Sequence, residues 1–423
     1  MSALWPALLP PSRHGDDDRC VVAADGVHLT MKDGRRLLCG TSGLWNVNLG
    51  YGNAAIADAI AGALREASYL GIFRYENELA RQAADVLVEL AGARHFSRVQ
   101  FTTSGGSAND LVMKLVRQYH ALRGQTHRRL IVGLAEGYHG LTFGSFALTS
   151  DSLGQQIYGV DRSLVRHVPP NDIRALEGLL ERQPERVAAV VVEPLLGTGA
   201  VPLRAGYLDA VGELRDRYGF LLVADEVATG FGRLGEQFAS RAWRKAPDVL
   251  ITSKGLTNGT TPAAAVLVTD EVFDPFRRAD ALLAHAETQA GTATTAAAIL
   301  ATAGEMARLD AIAAARRLGS LLDRELAELV AAEPLVASVS GAGCFRALRL
   351  LTTDGRPLPQ HEVGNVVDAV RTAGAVVHPG PQGIQLIPAL TYTERQLGEL
   401  LTAVRNGLAR YAEHRVEAVS CRQ

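Results

Sequence analysis

Seven short apolar runs recur between Arg98 and Asp270: Val99 to Thr102, Leu130 to Leu134, Leu164 to Val168, Val187 to Val192, Phe220 to Ala224, Val249 to Thr252 and Ala263 to Val268. Each is short enough for a buried strand and too short for a helix of ordinary length. Amphipathic stretches at Ser107 to His120, Ile173 to Glu181 and Leu208 to Tyr218 separate several of them. Strands that alternate with helices predict an α/β fold with a mainly parallel sheet covered on both faces, and ligands near the strands' carboxyl ends.

The flanks have a different texture. Before residue 53 the chain reads as short strands around the Lys32-Asp33-Gly34 turn, and helical spacing begins with Ile56, Ile60, Ala63 and Leu64. Helices near Leu318 to Val330, Glu362 to Ala373 and Thr393 to Tyr411, around strands near Val336 and Ile384, predict a smaller α+β unit at the end. The expected division is an N-terminal arm over 1–52, a large domain over 53–305 and a small domain over 306–423.

Composition narrows the function classes. With 43 basic against 45 acidic side chains the net charge is −2, so no global field draws nucleic acid or an anionic membrane. Cys20, Cys39, Cys344 and Cys421 show no paired spacing, and neither a metal site nor a disulfide framework is expected. The prolines and acids of the first eighteen residues do not suit an export signal, and no apolar run is long enough to span a bilayer, so a cytoplasmic location is expected. Lysine occurs only at positions 32, 114, 245 and 254, so candidate amine nucleophiles are few.

Five predicted strand ends carry chemistry. After Val99 to Thr102 comes Thr103-Ser104-Gly105-Gly106-Ser107-Ala108-Asn109, whose glycines let amides approach an anion at a helix start. The strand Phe220 to Ala224 runs into Asp225-Glu226-Val227, and an acid directly after five apolar residues needs a cationic or hydrogen-bonding partner. Val249 to Thr252 runs into Ser253-Lys254-Gly255, where desolvation favours the neutral, nucleophilic amine. Glu136-Gly137-Tyr138-His139-Gly140 and Glu193-Pro194 close two further strands. Singly, each has a plain structural reading: an N-cap, a salt bridge, a packing aromatic, a strand terminator. Together, a phosphate cradle, a flat aromatic, an acid and an amine on one sheet match what pyridoxal 5'-phosphate (PLP) requires.

The order and spacing of these segments resemble the class III, omega-type aminotransferases of the fold-type I PLP enzymes. The likeness runs from Gly43-Leu44-Trp45-Asn46 through Gly230-Phe231-Gly232-Arg233 to Pro388. It implies that Lys254 carries the cofactor and Asp225 holds the pyridinium nitrogen. Val227 and Tyr138 take opposite ring faces, and Ser104, Gly105 and Gly106 cradle the phosphate. Thr288 is implied to reach the phosphate site of a partner in a homodimer, while Glu193 and Trp45 border the substrate pocket. The implied reaction passes an amino group from an amine donor to a ketone or aldehyde acceptor. A PLP-dependent aminomutase or epimerase would use the same lysine and acid, and a non-catalytic PLP-binding regulator would normally add a basic DNA-binding segment that this chain lacks.

The departures from the family are informative. Where the family commonly has Ser-Gly-Ser-Glu-Ala, this chain has Ser104-Gly105-Gly106-Ser107-Ala108 and no acid at 107. A usual proline is Ala293 and a usual arginine is Ser340. Many members carry a carboxylate-binding arginine where this chain has Gln385, and omega-transaminases with a mobile arginine carry it at the position of His378. Arg74 is the candidate substitute. The N-terminal stretch and the missing arginines also resemble aminotransferases of daptide-type ribosomal peptide pathways, which implies a carboxylate-free carbonyl, a peptide ketone among them, as acceptor in natural product biosynthesis.

Overall fold

The computed structural model describes residues 3–150 and 152–420; Cys421 lies outside them. Three antiparallel strands come first, β1 (Val21–Asp25), β2 (His28–Met31) and β3 (Arg36–Cys39). A distorted helical turn follows, α1 (Ser42–Trp45), then α2 (Ala54–Glu66) and α3 (Glu78–Ala91). Asn53 and Asn77 start the two longer helices by accepting the amide three residues on, which satisfies a donor that a helix start leaves unpaired.

The central region runs β4 (Phe96–Thr102), α4 (Gly105–Leu122), β5 (Leu130–Leu134), α5 (Phe143–Leu148), β6 (Val165–Val168), α6 (Ile173–Arg182) and β7 (Val187–Val192). After a two-stranded hairpin, β8 (Leu195–Leu196) with β9 (Val201–Pro202), come α7 (Ala205–Tyr218), β10 (Leu221–Asp225), β11 (Val249–Thr252) and β12 (Ala264–Thr269). The expected seven-stranded sheet is present, in the order β4-β12-β11-β10-β7-β5-β6. Only β12 runs against its neighbours, and every other pairing is parallel. All six residues of β7 are buried, as expected of a strand covered on both faces.

The chain continues through α8 (Asp270–Ala279), α9 (Ala293–Arg308) and α10 (Ala311–Ala332) to β13 (Val336–Ala342) and β14 (Phe345–Leu350). Then come α11 (Val363–Thr372), β15 (Ala375–Val376), β16 (His378–Gly380), β17 (Gly383–Leu386) and α12 (Glu394–Ser420). An antiparallel sheet forms in the order β13-β14-β17-β16. β15 leaves it and pairs parallel with β3, Ala375 opposite Leu38 and Val376 opposite Cys39. The N-terminal strands are thereby joined to the C-terminal unit.

Two boundaries differ from the sequence expectation. Asp225 is the last residue of β10, not the residue after it. α4 starts at Gly105 because Ser104 accepts the Ser107 amide, so both glycines lie in the first helical turn. At the far end, α12 packs closely on α11. A Cβ added at Gly407 would stand 2.6 Å from Val370 Cα, whereas one at Gly398 would meet nothing within 4 Å. Gly407→Ala is expected to cost about 1–3 kcal/mol from overpacking, read as a lower midpoint in urea. Gly398→Ala should be neutral or stabilising, by up to about 1 kcal/mol, because alanine suits a helix interior better than glycine.

Candidate active site

Parallel pairing gathers the carboxyl ends of β5, β7, β10 and β11 on one edge of the sheet, and β4, lying across the reversed β12, points the same way. At the end of β4, α4 presents the amides of Gly105 and Gly106, which a helix start leaves without intrahelical partners. The backbone is crowded here. A Cβ on Gly140 would come 2.5 Å from Gly106 Cα, so neither a side chain nor a bulkier turn fits between the two loops. A Cβ on Gly105 would meet both methyls of Val227 at 3.1 Å, which places Val227 directly beside the cradle.

Asp225 is 3% exposed and held on three sides. Its Oδ2 accepts from His139 Nδ1 at 2.7 Å and Asn109 Nδ2 at 2.9 Å, and its Oδ1 accepts from the Val227 amide at 3.1 Å. Burial works against a charge on His139, but its hydrogen bond to Asp225 prevails and raises its proton affinity. The Asn109 amide also donates to the carbonyls of Gly105 and His139, which ties cradle, acid and β5 loop together. Neither His139 nor Asn109 was assigned a role from sequence. Both sit inside motifs that drew notice for other residues, and the available signal was a polar side chain one helical turn past the glycines and an imidazole in a Gly-flanked loop.

Lys254 follows β11 in the left-handed region, at φ 47°, a conformation that costs a non-glycine residue of order 1 kcal/mol. Its Nζ lies 4.3 Å from the centre of the Trp45 ring. Desolvation pushes the ammonium down to about 8, partly offset by Glu193 and Asp225. Glu193, 5% exposed, accepts the amides of Tyr138 at 3.0 Å and Gly197 at 3.1 Å. Burial pushes its carboxyl up to about 7. His378 packs edge-on against Trp45 with ring centres 5.0 Å apart, and burial followed by the nearby Lys254 pushes it down to about 4, so it is neutral at pH 7. Gln385 is buried and donates to the Gly197 carbonyl at 2.8 Å.

The structure therefore links Lys254, Trp45, His378, Gln385 and Glu193 around Gly197, and Ser104, Gly105, Gly106, Val227 and Asp225 around α4. Tyr138 joins the first group through its amide. Thr288 is exposed, with its carbonyl accepting from the Tyr69 hydroxyl at 2.8 Å. Arg74 stands apart, exposed, its guanidinium over the ring of Phe73. Among the described residues, no cluster of histidine, cysteine and carboxylates suits a metal ion.

Residues 12–408 match the family aminotransferase class-III. The chain belongs to that family. It is 31% identical over 421 residues to a diaminobutyrate–2-oxoglutarate transaminase of Halomonas elongata, covering 92% of this chain and 90% of the relative. An omega-aminotransferase of Caulobacter vibrioides is 28% identical, with 96% and 97% covered. An amine transaminase from an uncultivated Pseudomonas species, solved in its PLP-bound form, superposes with a TM-score of 0.92 at 30% identity, over 97% of this chain and 99% of the other. This enzyme is a PLP-dependent aminotransferase, acting on an amine donor and a carbonyl acceptor.

The residues present fit that cofactor: a glycine-lined helix start for a phosphate, a buried carboxylate for a ring nitrogen, and an amine of lowered proton affinity. Behind them lies Arg233, fully buried, which donates to Asn48 Oδ1, Ser42 Oγ and the carbonyls of Cys344 and Pro388. All of these acceptors are neutral, and burial lowers the guanidinium to about 10. Lys254 feels that positive charge as a further push toward its neutral form. Borohydride reduction followed by peptide mapping is expected to leave the pyridoxyl label on Lys254. Label recovered at Lys32, Lys114 or Lys245 instead would remove Lys254 from the assignment.

Proposed function

We propose that Lys254 holds the cofactor and then serves as the base of the exchange, taking a proton at Nζ from the amine-bearing carbon of the donor. The cofactor, when bound, supplies an electron sink for that carbon. Asp225, pinned by His139, Asn109 and the Val227 amide, presents a fixed carboxylate to the ring nitrogen, and this geometry supports keeping that nitrogen protonated. Val227 and Tyr138 bound the two ring faces. Glu193, Trp45, His378 and Gln385 line the substrate side.

The donor or the acceptor, in this reading, lacks a free carboxylate next to the reacting carbon. The observation that carries it is Gln385, which is neutral, buried and already committed to the Gly197 carbonyl. His378 adds no charge at pH 7. Among the described residues, the side chains placed on this side, Glu193, Trp45, His378 and Gln385, include no arginine, so a carboxylate finds no bidentate partner among them. A ketone or aldehyde of a specialised pathway fits such a pocket, including the terminal ketone of a natural-product peptide.

Amine donors and carbonyl acceptors compared by kcat/KM test this. Carboxylate-free carbonyl compounds are expected to outperform alpha-keto acids in at least one direction. Gln385→Arg should raise kcat/KM for 2-oxoglutarate by about tenfold or more, the worth of a charged hydrogen bond of about 1.5–3 kcal/mol. A native enzyme most efficient with glutamate and 2-oxoglutarate in both directions would overturn the reading.

An obligate homodimer with shared sites forms part of the proposal. Tyr75 is 81% exposed, Phe143 68%, Ile157 86% and Leu282 90% in the single chain, a cost that a subunit contact relieves. Thr288 is also exposed, as a residue serving a neighbour's phosphate site must be. Sedimentation is expected to give a dimer at working concentrations, and a fully active monomer would rule out shared sites.

A further inference from the structure

Three residues, Ser104, Gly105 and Gly106, form the proposed phosphate cradle, and a single carboxylate grips the residue on either side of them. Glu287 Oε2 accepts from the Thr103 amide at 3.1 Å and from the Thr103 hydroxyl. Glu287 Oε1 accepts from the Ser107 hydroxyl. His285 adds to the bracket, its Nε2 lying 3.2 Å from Ser107 Oγ and 3.5 Å from Glu287 Oε1. Burial alone would raise the Glu287 carboxyl, but the hydrogen bonds from Ser107 and Thr103 outweigh it, so the group is anionic at neutral pH.

The bracket leaves the cradle's own donors free. Glu287 consumes the Thr103 amide and two hydroxyls, while Ser104 Oγ takes the Ser107 amide. The Gly105 and Gly106 amides remain for an anion. The same chain position has a sequence counterpart. Position 107, where the family commonly carries its acid, is a serine here, and the acid stands at 287, across a hydrogen bond from that serine.

We propose that Glu287 is a positioning residue for the cofactor phosphate, its carboxylate taking over the family acid's place by fastening Thr103 and Ser107 to segment 285–288 so that the amides between them converge. This rests on reading Ser104 to Gly106 as the phosphate cradle. Because the next residue is Thr288, the same bracket fixes the segment proposed to serve the partner's site.

The test uses apoenzyme of the full chain, titrated by absorbance with PLP and with pyridoxal, which has the same ring and aldehyde and no phosphate. Glu287→Gln, which keeps the side-chain volume, and Glu287→Ala are each expected to weaken PLP about tenfold while changing pyridoxal by less than about twofold, the size of effect from losing charged hydrogen bonds at one end of the ligand. Adding Ser107→Glu to Glu287→Ala should recover most of the lost PLP affinity by returning an acid to the bracket. A merely structural role would weaken both ligands alike, and that outcome overturns the inference, as does unchanged or tighter PLP binding. Failure of Ser107→Glu to recover affinity removes the claim that the acid has been relocated. A native enzyme that does not prefer PLP over pyridoxal would refute the cradle reading itself, which separates that failure from failure of the bracket.

Discussion

Strand direction is the constraint from which the rest follows. A parallel strand returns to its sheet through a crossover, so each carboxyl end opens into a loop on the same edge, and four parallel-paired strands with β4 deliver five loops to one place. The reversed β12 sits between β4 and β11 without contributing to that edge. Its position separates the proposed phosphate cradle from Lys254 by one strand's width, while α4 carries Asn109 back across to Asp225.

Burial then does the chemical tuning. Glu193 and Lys254 both pay for leaving water, and they answer differently because their charges and partners differ. Buried Asp225 accepts from His139, while Glu193 accepts two backbone amides and moves up to about 7. Lys254 meets an aromatic face, two carboxylates at longer range and the charge of Arg233, and settles near 8. His378 and Gln385, both uncharged at pH 7, complete the wall beside it.

Much of the large sheet was legible because fully buried strands read as unbroken apolar runs, and the place of Lys254 just past a strand end was legible because Val249 to Thr252 is one of those runs. The pairing of β15 with β3 was not, since two residues carry no periodic signal and their partner lies more than three hundred positions away. The alanines and threonines of α9 give little contrast between faces, so this helix carries a weak signal in the sequence. His139 sits in a predicted loop and Asn109 in the predicted helix Ser107 to His120; their meaning depends on Asp225, which approaches only once the sheet has formed. Glu287 was likewise invisible as a partner of Thr103, from which 184 residues separate it.

Arg233 carries a consequence for how the chain comes into being. Its two terminal nitrogens donate to Ser42 and Asn48 on one side of the sequence and to Cys344 and Pro388 on the other, the last 155 residues downstream. During synthesis the sheet strands emerge well before those later carbonyls. A cation of this kind cannot be left dry without acceptors, so the region behind Lys254 stays hydrated until the C-terminal unit has left the ribosome and docked. Contacts of such separation also form slowly. Lys254 thus acquires its final surroundings among the last events of folding, and a nascent chain holding every residue of the sheet still lacks the desolvation that makes its amine reactive.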